Sequence, residues 1–238
     1  MVFEYYLSAA FVAGIVVLLY GLYYILAYSK IYDYIYAKFG ADTNPTVFHS
    51  VFFRLTGFVL FGIFAYLIFC NGYGVEFDFL EIPPQHVSEI IGWSVVLGGF
   101  FVIVAYVNVR NSKSSHYPQF KINQWTLPHK ITTYSTWALY IIAYEFMFRG
   151  ILLFGTVEEV GYIISIVFNV FLYAFVHIPK GGKEVLGCLL LGPALCILAL
   201  KTHSIAIPVF VHLSLCLSNE FFSVRAEELA QKRISSRL

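Results

Sequence analysis

The sequence predicts an all-α, polytopic transmembrane helix bundle with about seven spans. Hydrophobic residues make up 59% of its 238 positions and charged residues only 12%, whereas a soluble domain carries about 25% charged residues. The mean hydropathy is +0.76, and several apolar runs approach the roughly 20 residues that a helix needs to cross a bilayer. The composition leaves no room for a sizeable soluble domain. A net charge of +1 without a basic stripe gives no reason to expect a nucleic-acid partner.

Seven apolar runs are the candidate spans, and short connections join two pairs of them. The candidate spans are residues 7–28, 51–70, 90–108, 131–155, 161–178, 185–201 and 204–222. Five residues separate the fourth span from the fifth, and only Thr202 and His203 separate the sixth from the seventh. We therefore expect both pairs to form tight antiparallel hairpins.

The distribution of basic residues predicts the orientation in the membrane. Cytoplasmic loops carry an excess of Lys and Arg, and the second loop, between residues 71 and 89, has acidic residues but neither Lys nor Arg. Basic residues fill the first, third and fifth loops and the tail: Lys30, Lys38, Arg54, Arg110, Lys113, Lys121, Lys130, Lys180, Lys183, Arg225, Lys232, Arg233 and Arg237. We expect an integral protein of the bacterial inner membrane with its amino terminus outside and its carboxy terminus in the cytoplasm. The third loop, residues 111–130, is either an interfacial connection or a substrate gate.

A carboxylate and a guanidinium lie inside the apolar run from Ile131 to Phe154. Glu145 and Arg149 are four residues apart, so a helix places them on one face, close enough to pair. Each would cost roughly 2.5–3.5 kcal/mol at the centre of a membrane helix. The pair either locks helix packing or belongs to a functional site.

Further polar residues follow in the later spans. Asn169, Tyr173 and His177 form one stripe at four-residue spacing, His212 stands alone among apolar residues, Cys216 and Asn219 follow it, and Glu184 opens the sixth helix. Each has an ordinary explanation. His177 lies near an interface, His212 could bond to a backbone carbonyl, and Glu184 is favoured by the helix dipole in a first turn.

Together, these side chains predict one convergent site, because Glu145, Arg149, His177 and His212 are the only charges that we expect to be buried. A carboxylate with an imidazole can deprotonate water and protonate a leaving amine. A second imidazole or an amide can donate to the oxyanion of a tetrahedral intermediate. The alternative is a zinc ion bound by Glu145, His177 and His212. The chain has no HExxH motif, which disfavours the metal, so we assign no cofactor and keep zinc as the alternative.

These residues resemble the motifs of a known family. The segments Tyr144 to Gly150 and Tyr173 to His177, followed by His212, resemble the motifs EExxxR, FxxxH and HxxxN of the CAAX-protease and bacteriocin-processing (Abi) family of intramembrane proteases. The resemblance covers about residues 125–222, a four-span core. It leaves residues 1–124 as an amino-terminal three-span region with the interfacial loop, and residues 223–238 as a cytoplasmic tail.

The resemblance implies a glutamate-dependent endopeptidase, a hydrolase that acts on a membrane-embedded or membrane-anchored peptide or protein in the lipid bilayer. In the family the glutamate and the second-motif histidine activate water, and the third-motif histidine and asparagine stabilise the oxyanion. Carried over, Glu145 matches the second glutamate, Arg149 the arginine, and His177 and His212 the two histidines. Other descriptions of the family make its members metalloproteases.

Two departures from the motifs matter, and a third, Tyr173 in place of phenylalanine, is more harmless. Tyr144 stands where the first glutamate, the usual base, would be, and Cys216 stands where the asparagine would be. Neighbouring helix residues point about 100° apart, and a thiol is a poor substitute for an amide donor. Either Glu145 is the base in a variant arrangement, or the chain keeps the fold with weakened or lost proteolysis and acts as a membrane binding or scaffold protein.

Two questions about the arrangement stay open at the level of the sequence. A small transporter with Glu145 as a proton-linked site is the third hypothesis, and the lack of internal repeats disfavours it. The candidate spans also place Glu145 near mid-membrane and His177 near the cytoplasmic end. The two can meet only if the fifth helix is displaced or a polar cavity reaches inward.

Overall fold

The chain folds into eight α-helices in the computed structural model, which describes residues 7–111, 117–178 and 181–235, and these residues include no strand. The predicted all-α class is therefore confirmed. The helices are α1 (Ala9–Tyr28), α2 (Lys30–Phe39), α3 (Pro45–Gly57), α4 (Val87–Asn111), α5 (Leu127–Glu145), α6 (Leu153–Phe175), α7 (Gly182–Thr202) and α8 (Ala206–Ser235). Two π-helical segments, Phe58–Phe64 and Leu67–Gly72, extend α3, and a third, Phe146–Leu152, joins α5 to α6. Short 3-10 turns at Asp78–Leu80 and Pro84–His86 precede α4.

Local sequence signals explain where two of the central helices begin. The Asn44 side chain accepts hydrogen bonds from the first backbone amides of α3, and a proline follows it. Thr126 caps α5 in the same way, again with a proline in the first turn. Such side chains satisfy amides that have no partner within the helix, and proline has no amide to lose there.

Among the described residues, six continuous helical stretches are long and apolar enough to cross a membrane, and one of them accounts for two predicted spans. The stretch Leu127–Phe175 is 49 residues long and turns at Gly161, whose backbone angles are φ 80° and ψ 165°. Thr156 donates to the Ser165 hydroxyl at 3.0 Å, and these residues lie on opposite sides of the turn. The fourth and fifth spans are thus the two antiparallel arms of a hairpin.

The α5–α6 hairpin lies at the centre of the bundle. Helices α1 and α3 pack on one side, α7 and α8 pack on the other, and α4 lies against α8. Side chains of α1, α3, α5 and α6 share one large buried apolar cluster. Large apolar side chains such as Ile163 and Leu190 point outward from the spans, as expected for helices surrounded by lipid. The chain is an integral membrane protein.

A second buried polar cluster contradicts the expectation that the site residues are the only buried charges. Arg54 is 1% exposed and Glu220 is fully buried. Arg54 donates to the Thr133 carbonyl at 2.9 Å, to the Thr133 and Thr136 hydroxyls at 3.1 Å each, and to the Gln119 side chain at 2.8 Å. Glu220 accepts from the Thr133 hydroxyl at 2.7 Å and from the Gln119 backbone amide at 3.3 Å.

These charges are buried because a connecting segment covers them. Residues 117–126, which we call the strap, run across the ends of α3, α5 and α8. Besides Gln119, the strap is held by Lys121, whose amide donates to Thr46 at 2.8 Å, and by Trp125, whose indole donates to Glu227 at 3.0 Å. The sequence placed Arg54 beside the first loop. It could not show that the strap, which follows much later in the chain, covers this residue. Lys113, Lys180 and Arg237 lie outside the described residues.

Candidate active site

Glu145 is fully buried and contacts His212 directly. It is the last residue of α5, and its Oε1 lies 2.5 Å from Nδ1 of His212 on α8. A carboxylate oxygen can only accept, so Nδ1 carries the hydrogen and Nε2 holds the lone pair of the neutral ring. The carboxylate therefore sets both the orientation and the tautomer of this imidazole.

Arg149 lies within the π-helical segment that begins immediately after Glu145. Its Nε is 3.5 Å from Glu145 Oε2, which makes a buried ion pair. Its guanidinium lies over the Tyr173 ring, with the guanidinium carbon 4.1 Å from the ring centroid. The seven residues Phe146–Leu152 are all buried, and such π-helical turns often occur at functional sites. Arg149 thus opposes the carboxylate charge in a region that solvent does not reach.

His177 enters the same interior region from the end of α6. Its Nδ1 donates to the Tyr173 carbonyl at 2.8 Å, which leaves the lone pair of the neutral ring on Nε2. The Tyr144 ring meets both imidazoles edge-on, with centroids 6.4 Å from His177 and 5.8 Å from His212. Both imidazoles therefore lie near one residue, Tyr144, in the interior of the bundle.

The register of the α5–α6 hairpin explains how His177 reaches the level of the acid. Asn169 donates to the Phe148 carbonyl at 2.6 Å and accepts from the Cys196 thiol at 3.4 Å. This pairing aligns α6 antiparallel to the π-helical segment, so the residues after Asn169 run back toward Tyr144. Asn169 holds the backbone of the site in place, and its amide does not face the imidazoles.

The remaining predicted residues differ in how close they lie to the Glu145–His212 pair. Cys216, one turn after His212 on α8, is buried and interacts with that imidazole. The Tyr144 hydroxyl lies within the bundle and has no hydrogen-bond partner among the described residues. Asn219 donates to the Leu215 carbonyl of its own helix at 2.8 Å, and Glu184 is exposed in the first turn of α7. Neither Asn219 nor Glu184 joins the cluster.

The zinc alternative does not fit the arrangement of its three proposed ligands. Within the part of the chain that the structure describes, no three His, Cys, Asp or Glu side chains form a group that could hold a metal ion. We therefore route no chemical step through a metal.

Two features of the bundle were missed from the sequence. The cluster of Arg54 and Glu220 could have been suspected, because Glu220 falls inside the seventh candidate span. A pocket beside His177 is lined by three tyrosines of α1. Their spacing of four residues is visible in the sequence and indicates one shared helix face. The residues that line this pocket are Tyr20, Tyr24, Tyr28, Phe53, Tyr140, Tyr144, Val176 and His177.

The fold and the site together define a polytopic membrane protein with a buried carboxylate, guanidinium and imidazole cluster. Residues 128–217 match the family model described as type II CAAX prenyl endopeptidase Rce1-like. This match confirms the resemblance over the segment that runs from α5 into α8. It includes Glu145, Arg149, His177 and His212, and excludes α1 to α4. No curated protein and no solved structure matches the chain.

Proposed function

We propose that the protein is an intramembrane endopeptidase that hydrolyses a peptide bond of a membrane-associated substrate, using water activated by Glu145 and His212. The observation that carries the proposal is the 2.5 Å contact between these two side chains, with His177 beside the Tyr144 ring. The family match supports protease chemistry at this position in the chain.

The first step is the activation of water at His212. Its Nε2 takes a proton from water while Nδ1 donates to Glu145, and the carboxylate stabilises the imidazolium that forms. A carboxylate has this role toward histidine in serine hydrolases. The family pattern led us to expect His177 beside the glutamate. The contacts favour His212 in that position, so this proposal exchanges the roles of the two histidines.

The second step is the collapse of the tetrahedral intermediate. The buried hydroxyl of Tyr144, whose ring lies near both imidazoles, can donate a hydrogen bond to the oxyanion. It would thus replace the amide donor that Cys216 does not supply. The proton that His212 took from water passes to the leaving amine, with Nε2 of His177 able to relay it, so both rings end in the neutral form. Arg149 keeps Glu145 ionised by opposing its charge at 3.5 Å. Removing one oxyanion donor typically lowers kcat by about 10²–10³-fold.

The location of the substrate follows from the location of the site. A buried site within a helix bundle acts on a peptide that is embedded in the bilayer or anchored to it. The basic residues support an orientation in the bacterial inner membrane with the amino terminus outside and the carboxy terminus in the cytoplasm.

The experiment is a cleavage assay with purified protein in liposomes and a fluorogenic transmembrane peptide. We expect Glu145→Gln and His212→Ala to lower kcat by at least about 10²-fold, as loss of a general base does, and His177→Ala to lower it as well. Glu158→Gln is the matched control, because Glu158 is an exposed acid at the turn of the hairpin. Unchanged cleavage in all three site variants would refute the proposal.

A second candidate is a non-catalytic membrane binding or scaffold protein. The observation in its favour is that the Tyr144 ring lies near both imidazoles while Arg149 and His212 hold the carboxylate. If this candidate is right, the native chain does not cleave, and Tyr144→Glu combined with Cys216→Asn creates activity. Cleavage by the native chain that Glu145→Gln abolishes would exclude it.

A further inference from the structure

The pocket beside His177 is a small cleft, with an empty volume of about 350 Å³, that opens between α1, Phe53 of α3 and the α5–α6 hairpin. Its outer part is made by Tyr24 and Tyr28, which are 47% and 56% exposed, and its inner end by Tyr144 and His177. The groove therefore connects the outer surface of α1 to two residues of the candidate active site. We call it the tyrosine groove.

The walls of the tyrosine groove are aromatic rings. Tyr24 packs against Tyr28 with centroids 4.8 Å apart, and Tyr28 meets Phe53 edge-on at 5.7 Å. Tyr20 hydrogen bonds to the Val176 carbonyl, next to His177, at 3.4 Å. This bond attaches α1 to the residue that precedes the candidate catalytic histidine, so the groove and the site are held together.

The groove also contains hydroxyl groups, and this distinguishes it from a purely apolar channel. Tyr144 is 2% exposed, and its hydroxyl has no hydrogen-bond partner within the described residues. Burying a hydroxyl without a partner costs about 1–3 kcal/mol, so a bound group that pairs with it gains affinity. Tyr24 and Tyr28 add further hydroxyls along the path to the surface.

An unwound peptide is the occupant that this chemistry fits. Inside a bilayer every peptide carbonyl and amide needs a partner, and a segment that leaves its helix to be hydrolysed loses the partners it had. Rings that contact apolar side chains, together with hydroxyls that bond to backbone groups, meet both needs. A hydrocarbon chain has no polar group to satisfy these hydroxyls.

We propose that the tyrosine groove binds an unwound segment of the peptide substrate next to the bond to be cleaved, and that Tyr24 and Tyr28 of α1 contribute to substrate preference. The proposal rests on the proposed function of the site. It also assigns a role to α1, which lies outside the segment that matches the protease family.

Crosslinking tests binding without requiring turnover. The full-length Glu145→Gln variant carries p-benzoylphenylalanine in place of Tyr24, and the probe is a leucine–alanine transmembrane peptide with a central glycine pair. We expect position 24 to crosslink to the probe peptide, and we expect an excess of the unlabelled glycine-containing peptide to reduce this crosslink. The same peptide without glycines should compete for the site at least about fivefold less effectively. Substitution of Tyr34, which is 65% exposed on α2, is the control position. If position 24 crosslinks only to acyl lipid and not to the peptide, or if both peptides compete equally, the proposal is overturned.

Kinetics test whether binding in the groove serves cleavage. Tyr24→Phe and Tyr28→Phe remove a hydroxyl and keep the ring. Each is expected to raise KM about 2- to 12-fold, the equivalent of one hydrogen bond, with kcat little changed because the contact is outside the reacting atoms. Tyr34→Phe should leave KM unchanged, and a thermal melt checks that each variant is folded.

The outcomes separate this proposal from the proposed function. If the wild-type protein cleaves and the Tyr24 and Tyr28 variants keep its KM, the groove proposal fails alone. If no peptide is cleaved and the competed crosslink at position 24 persists, the endopeptidase proposal fails and peptide binding in the groove stands.

Discussion

Replacing Glu220 by glutamine should destabilise the bundle far more than the loss of one charge at the surface. Glu220 accepts two hydrogen bonds, from the Thr133 hydroxyl and the Gln119 amide, and the buried Arg54 hydrogen bonds to the same two residues. A neutral amide keeps the shape of the side chain but has one acceptor oxygen in place of two. Bonds to a charged group contribute about 1.5–3 kcal/mol each, and a buried charge left without its counterpart costs about 3–5 kcal/mol. We therefore expect Glu220→Gln to lower the free energy of unfolding by about 3 kcal/mol.

Reversible unfolding in mixed micelles, followed by circular dichroism, measures this change. Glu228→Gln is the matched control, because Glu228 also lies on α8 and pairs with Lys130 at 2.6 Å in a partly exposed position. Its loss should cost less than about 1 kcal/mol. The double variant Arg54→Met with Glu220→Gln should cost less than the sum of the single variants, because removing both charges leaves neither uncompensated. A Glu220→Gln cost equal to that of the control would refute the reasoning.

Two further predictions concern the backbone around Arg149. Gly150→Ala should lower the free energy of unfolding by about 1–3 kcal/mol, because an added Cβ would collide with the Phe79 ring. Gly14→Ala is the control, because no atom lies within 4 Å of its added Cβ. Equal thermal melts of the two variants would contradict the prediction. Asn169→Ala should cost about 1–3 kcal/mol and lower kcat, because the Phe148 carbonyl loses its side-chain donor and the π-helical segment its anchor. Unchanged stability and cleavage in this variant would remove the positioning role.

Most of the architecture followed from the sequence, and the exceptions have a common cause. The apolar runs and the cost of burying charge predicted the spans and identified Glu145, Arg149 and both histidines as candidates. The burial of Arg54 and Glu220 was not predictable in the same way, because it depends on the strap, which is distant from both residues in the chain. A residue at the edge of a span is exposed or buried according to what covers it, and local composition carries no information about that.

The sequence by itself determined that this chain is an all-α membrane protein with a few costly polar groups in its last four spans, because hydrophobic run length and side-chain chemistry are local properties. Only the tertiary structure decided which imidazole contacts the acid. The π-helical turn after Glu145 and the pairing of Asn169 with Phe148 set the register of the two arms of the hairpin. The packing of α8 against α5 brings His212 to the carboxylate, and the end of α6 brings His177 beside Tyr144. Helix phase and register arise from contacts between distant segments, and for that reason the motif spacing alone could not specify them.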